Sequence, residues 1–113
     1  MRLLILFILT PWILSSENEI NEVWCLGIGG NDQYITKYGT YVDCLTEQYA
    51  IETEFDYKWK EAIGQSLHYA EATNKKAAIL LIKRKKSNKN YYNELMNVIS
   101  KYDLPIKVFL IDE

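Results

Sequence analysis

Read for its apolar and polar positions, the chain falls into segments of two different periods. The run QYITK from Gln33, a break at Tyr38-Gly39 and the run TYVDCLT have the alternation and the glycine turn of a β-hairpin. A polar turn at Thr46-Glu47-Gln48 leads into YAIETEF, a third strand over residues 49–55. The period then changes: KWKEAIGQSLHYAEA reads as a helix with Trp59, Ile63, Ser66, Leu67 and Ala70 along one stripe, and Asn74 supplies its stop. AAILLIK, residues 77–83, is a continuous apolar run, the mark of a strand covered on both faces. A second amphipathic helix is expected from about Asn90 to Tyr102, burying Tyr92, Leu95, Met96, Ile99 and Tyr102, and PIKVFLID closes as a last strand. The stretch from Glu17 to Gly30 reads as an acidic lead-in ending in a glycine turn and is assigned no element. The order β-β-β-α-β-α-β predicts an α/β fold, a mixed central sheet flanked by helices.

The first residues stand apart from this pattern. MRLLILFILTPWILSS has one base, Arg2, then an apolar run from Leu3 to Leu14 broken by Thr10 and Pro11, then two serines. This is the grammar of an export signal over residues 1–16. A membrane-spanning helix needs about 20 apolar residues, so the expectation is an exported chain, periplasmic or secreted, with no stable membrane span after processing. A plain hydrophobic first strand is the other reading. Residues 17–113 then form a single domain.

Charge is distributed unevenly over that domain. Residues 17–56 carry Glu17, Glu19, Glu22, Asp32, Asp43, Glu47, Glu52, Glu54 and Asp56 against one base, Lys37, whereas residues 57–113 are rich in lysine and include the basic run KRKKSNK. One half suits a cation and the other an anion. The two cysteines, Cys25 and Cys44, are too few for a disulfide scaffold or a zinc site. A bridge between them and a pair of buried free thiols are both open readings.

The third strand holds the candidate chemistry. Alternation puts Tyr49, Ile51, Thr53 and Phe55 on one face and Ala50, Glu52 and Glu54 on the other. Asp43 lies on the neighbouring strand, where the turn at residues 46–48 brings it alongside. Three carboxylates so close repel one another unless water, a base or a cation compensates; magnesium or manganese suits such oxygen ligands. A solvent-facing sheet edge carrying acids against aggregation is the plainer alternative. At 100° per residue, Lys58, Gln65 and Tyr69 form a polar line with Ala62 beside the buried stripe of the next helix, at a margin that faces Glu52 and Glu54.

These residues resemble the PD-(D/E)XK nuclease superfamily, whose αβββαβ core carries an aspartate on its second strand and E-x-K on its third. Asp43 matches the first acid, Glu52 the second, and QSLHY, Gln65–Tyr69, matches a Q-x-x-x-Y motif found on the following helix of many members. The segment VDCLTEQYAIETEFDYKWKEAIGQSLHYA is also similar to a group of small bacterial proteins of that superfamily. The resemblance implies a restriction-endonuclease-like core, a metal site at Asp43, Glu52 and Glu54 holding Mg²⁺ or Mn²⁺, and hydrolysis of phosphodiester bonds in nucleic acid, DNA before RNA. One departure stands out. The family's lysine position is Glu54, so the pattern is E-x-E. Either Glu54 adds a third carboxylate, as a metal ligand or general base, or Lys58 supplies the ammonium from the helix. Gln65 and Tyr69 would position the substrate or the nucleophile.

Three further expectations complete the reading. The run KRKKSNK is a candidate phosphate-contacting loop, although a solvated strand exit is the commoner use of such charge. His68 projects away from both the apolar stripe and the Gln65 line and reads as a surface histidine. A domain this small would gain grip from forming a homodimer. The competing functional class is an exported binding domain that keeps the fold without turnover, and the E-x-E pattern favours it.

Overall fold

The computed structural model describes residues 16–113, so the expected export signal lies outside the described residues except for Ser16. The elements are α1 (Glu17–Gly27), β1 (Asn31–Ile35), β2 (Tyr41–Leu45), β3 (Tyr49–Phe55), a 3-10 turn (Asp56–Lys58), α2 (Trp59–Thr73), β4 (Lys76–Lys83), α3 (Tyr91–Lys101) and β5 (Ile106–Asp112). The five strands form one sheet in the order β1-β2-β3-β4-β5. The first three run antiparallel, and β3, β4 and β5 are parallel. The chain is therefore an α/β protein with a mixed sheet.

Two parallel crossovers, through α2 and then α3, step across the sheet in one direction, and crossovers of one hand place both helices on the same face. Trp59 and Ala62 from α2 and Leu95 and Ile99 from α3 accordingly pack with Ala77, Ile79 and Leu81 of β4. The opposite face of β4, Ala78 and Leu80, packs with Ile51, Cys44 and Cys25, flanked by Trp24 of α1. This two-sided cover explains why β4 is apolar at consecutive positions: every residue from Ala77 to Ile82 is buried.

The local signals act where the sequence places them. Gly39 turns the β1–β2 hairpin at φ 82°, and Asn74 ends α2 in the left-handed conformation at φ 56°. Asn90 caps α3, its side chain accepting from the Asn93 amide at 3.0 Å. One buried position was assigned wrongly: Tyr102 follows the last residue of α3 and is 64% exposed, because the helix ends one residue short of returning it to the sheet.

The larger difference is α1, which occupies the stretch assigned no element. Ser16 accepts from the Glu19 amide at 3.1 Å and Glu19 accepts from the Ser16 amide at 3.1 Å, a complete capping box. Cys25 of α1 is disulfide-bonded to Cys44 of β2, which settles the open reading of the cysteines. Among the described residues, no helix is long and apolar enough to cross a membrane.

A candidate acidic site in a fork between two strands

Strands β2 and β3 are paired only near their turn, at Cys44–Ile51 and Leu45–Ala50. Beyond that point side chains take the backbone donors of β3. The Thr53 amide donates to Asp43 Oδ2 at 2.8 Å, and the Phe55 amide donates to Glu17 Oε1 at 3.3 Å. Carboxylates thus enter a fork that a continued ladder would have closed, and they satisfy backbone groups that would otherwise be stranded.

Alternation along β3 places Glu52 and Glu54 beside Ile79 and Leu81 of β4, on the face covered by α2. Both are buried, Glu52 to 2% exposure and Glu54 to 5%. Gln65 of α2, its amide turned so that nitrogen meets acceptors, donates to both oxygens of Glu52, one of them at 3.3 Å. Burial raises the Glu52 carboxyl to about 11, helped by its hydrogen bond to Asp43 and by the charges of Asp43, Glu54 and Glu17. Burial likewise raises Glu54 to about 8, with Glu17 hydrogen-bonded beside it, while the Lys58 ammonium pulls in the opposite direction. The half-buried Tyr69 phenol is held up at about 12, first by burial and then by Glu52, Asp43 and Glu54. Side chains from α1, β2, β3, the 3-10 turn and α2 therefore share one electrostatic neighbourhood.

The expected residues arrive there by different routes. Asp43, Glu52, Glu54, Gln65 and Tyr69 converge as the strand and helix periods require. Lys58 precedes α2, in the 3-10 turn, and is exposed; its ammonium lies 5.7 Å from the centre of the Tyr57 ring and is felt by Glu54 through charge. Ala62, on the same projected line, is fully buried in the core. His68 is not in the fork. It is half-buried and meets the Thr40 hydroxyl at 2.9 Å, tying the β1–β2 hairpin to α2.

Two participants had no place in the sequence reading. Glu17 reaches Glu54 from the first turn of α1. Asn21, 1% exposed, donates to Asp32 Oδ1 and to the Asp43 carbonyl, each at 2.8 Å, and accepts from the Thr53 hydroxyl. The available signal was the S-x-x-E capping box at Ser16–Glu19, which marks a helix start. Gln33, opposite Asp43, has φ 56° and donates to Asp43 Oδ1 at 3.4 Å. A non-glycine residue in the left-handed region is uncommon in a strand, and here it sits against the acid cluster.

Among the described residues, no three acid, histidine or cysteine side chains converge tightly enough to chelate an ion as they stand. Asp43 is occupied by the Thr53 amide and Glu52 by Gln65. The donors are all oxygens, the type a hard divalent cation takes, but burial and mutual repulsion raise the Glu52 and Glu54 carboxyls, so an ion would have to displace their protons. Coordination would require these side chains to turn toward one another.

No protein-family model matches the chain, and no solved structure does. Two proteins of Acanthamoeba polyphaga mimivirus are similar to it, both named as KilA-N domain-containing. L33 is 36% identical over 94 residues, covering 82% of this chain and 37% of its own length. R878 is 36% identical over 74 residues, covering 66% of this chain and 20% of its own. The chain thus spans little more than a third of one relative and a fifth of the other, and their names do not say where in them the KilA-N domain lies.

Proposed function

We propose that this chain is a nuclease-like domain of the PD-(D/E)XK type that hydrolyses phosphodiester bonds of nucleic acid, with DNA the expected substrate and Mg²⁺ or Mn²⁺ the cofactor. The observation that carries the reading is the fork between β2 and β3, where Asp43, Glu52 and Glu54 lie in one electrostatic neighbourhood with Gln65 and Tyr69. The order α1-β1-β2-β3-α2-β4 also agrees with the αβββαβ core that the sequence resemblance implies. Asp43 and Glu52 would hold the ion, with Glu54 beside them. A bound divalent cation would polarise the phosphodiester and acidify a water molecule.

The chain's own groups divide the remaining work. Gln65 fixes the orientation of Glu52. Tyr69 keeps its phenolic proton and serves as a donor to a phosphate or hydroxyl oxygen. Lys58, exposed on the 3-10 turn, offsets charge that develops on the phosphate, or else Glu54 takes the proton of the attacking water. Incubation of plasmid and oligonucleotide substrates with Mg²⁺ or Mn²⁺ tests the proposal. Cleavage by the wild-type chain that Asp43→Asn and Glu52→Gln each abolish is the expected result, and cleavage untouched by both substitutions would overturn it.

A specific feature supports a second reading, an inactive binding domain on the same fold. Strand β3 carries a glutamate where the family's lysine stands, and Glu17 adds a further acid beside it. Nucleic-acid binding without turnover under any metal condition would establish this version.

A further inference from the structure

Past the end of β3 the acidic fork gives way to a basic, aromatic surface. A concavity of about 390 Å³ is lined by Asp56, Ser87, Asn88, Asn90, Tyr91 and Tyr92, among others. A shallower one of about 190 Å³ adds Tyr57, Arg84 and Lys86 and shares Ser87, Asn88 and Tyr91 with the first, so the two form one continuous trough. Both sit where the parallel strands β3 and β4 end and the loop 84–90 begins.

The trough is built, not a chance gathering of lysines. The Ser87 hydroxyl donates at 2.8 Å to the carboxylate of Asp56, which is 2% exposed, and this pins the loop to the end of β3. Tyr57 is 47% exposed, and its ring lies almost parallel to Phe55, 6.3 Å between centres and 10° between planes. Phe55 in turn carries the Arg84 guanidinium 4.6 Å from its centre. The outer aromatic plane is therefore buttressed from below. Arg84 is held by Glu113 at 3.7 Å and Lys89 by Glu94 at 3.1 Å. Among the described residues no acid pairs with Lys83, Lys85 or Lys86.

We infer that this trough is a subsite for a single-stranded nucleic-acid segment, with a base stacked on the exposed Tyr57, the half-buried Tyr91 beside it, and backbone phosphates met by Lys86 and its neighbours. The choice of nucleic acid rests on the nuclease reading above; the choice of a single strand does not. An exposed tyrosine plane offers stacking energy to a base only when that base is free of its own helix, while a duplex hides its base faces and presents phosphates alone. Lysines without acid partners supply the complementary charge along such a strand. Continuity of the chain supports the assignment: Tyr57 is three residues after Glu54, in the 3-10 turn that directly follows β3. The sugar is left open, since DNA and RNA share this chemistry.

Fluorescence anisotropy of the full chain in EDTA, where no turnover occurs, tests the subsite. The probes are labelled oligo-dT and oligo-rU of about a dozen nucleotides and a duplex of matching length. Single strands should bind more tightly than the duplex; Tyr57→Ala should weaken them about tenfold while Tyr57→Phe holds affinity. Lys86→Ala should lower the salt slope by about one. Equal or tighter duplex binding, no effect of Tyr57→Ala, or displacement of the oligonucleotide by low concentrations of inorganic phosphate would each overturn the inference. The oligo-dT and oligo-rU arms decide the sugar. Single-strand binding by a chain that cleaves nothing defeats only the nuclease reading, and cleavage without single-strand preference defeats only the subsite.

Discussion

Burial holds a proton on Glu52 through neutral pH in the folded chain, with its carboxyl raised to about 11, whereas the unfolded chain releases that proton near 4.5. Between those values the unfolded state binds fewer protons than the folded one, so stability falls as pH rises. The contribution of Glu52 is complete below pH 4.5 and is eroded by up to about 1.4 kcal/mol per pH unit above it. Denaturant titrations of the metal-free protein should therefore show lower stability at pH 8 than at pH 5, and Glu52→Gln should flatten the profile. A wild-type profile that is already flat across this range would show that Glu52 does not bury its proton. Lys58 makes a second prediction at this scale. If its ammonium offsets charge on the phosphate, Lys58→Ala lowers cleavage about tenfold or more with Mn²⁺ affinity retained, while Lys60→Ala, whose ammonium rests over Trp59, is silent. If Glu54 is the base, Glu54→Gln abolishes cleavage and Lys58→Ala barely matters; calorimetry beside a cleavage assay separates the two.

At the scale of elements, α1 is where the site depends on structure far along the chain. The helix brings Glu17 to Phe55 and Asn21 to Thr53 and Asp43, and it is secured at both ends, by the Ser16 capping box and by the Cys25–Cys44 bridge. Ser16→Ala should cost about 1 kcal/mol in thermal denaturation, because the capping box would be lost. Reduction of the bridge should cost about 3 kcal/mol by the chain-entropy relation for a loop of this length. Identical melting with and without reductant would remove that support. Gly30 adds a steric constraint: a Cβ there would run into Cys44 Sγ and stand 2.7 Å from Cys25 Sγ, so Gly30→Ala should destabilise the oxidised protein more than the reduced one.

For the whole molecule, β4 divides two cores. Ile79 faces α2 and α3, Leu80 faces the α1 side, and both are fully buried. Ile79→Ala and Leu80→Ala should each cost about 2–5 kcal/mol, a symmetry that a sheet covered on one face would not show. Tyr102→Ala, at an exposed helix end, should stay within about 0.5 kcal/mol. Chemical denaturation of the three variants checks this. The same arrangement bears on the distribution of charge: Glu17, Asp43, Glu52 and Glu54 enter the fork beside β3, and the basic run from Lys83 to Lys89 follows β4 out of the sheet.

Local pattern alone determined β2 to β5, α2 and α3, because strand and helix periods are properties of neighbouring residues and Gly39, Asn74 and Asn90 act within their own turns. It also placed Glu52 and Glu54 on one face of β3, and Gln65 and Tyr69 on one side of α2, since alternation and a 100° turn require no knowledge of the rest of the chain. What the tertiary structure decided was everything that crosses from one element to another. The parting of β2 from β3, the entry of Glu17 and Asn21, and the pairing of Cys25 with Cys44 depend on where α1 lies, and α1 itself begins in a polar stretch whose one clear signal is a capping box. Lys58 was expected on a helix and stands on the turn before it, because the chain leaves β3 through a 3-10 turn that the helical projection does not include. Burial decided the rest: the Glu52 carboxyl on a solvated edge would titrate near 4.5, and burial in the sheet, with Asp43, Glu54 and Glu17 nearby, holds its proton.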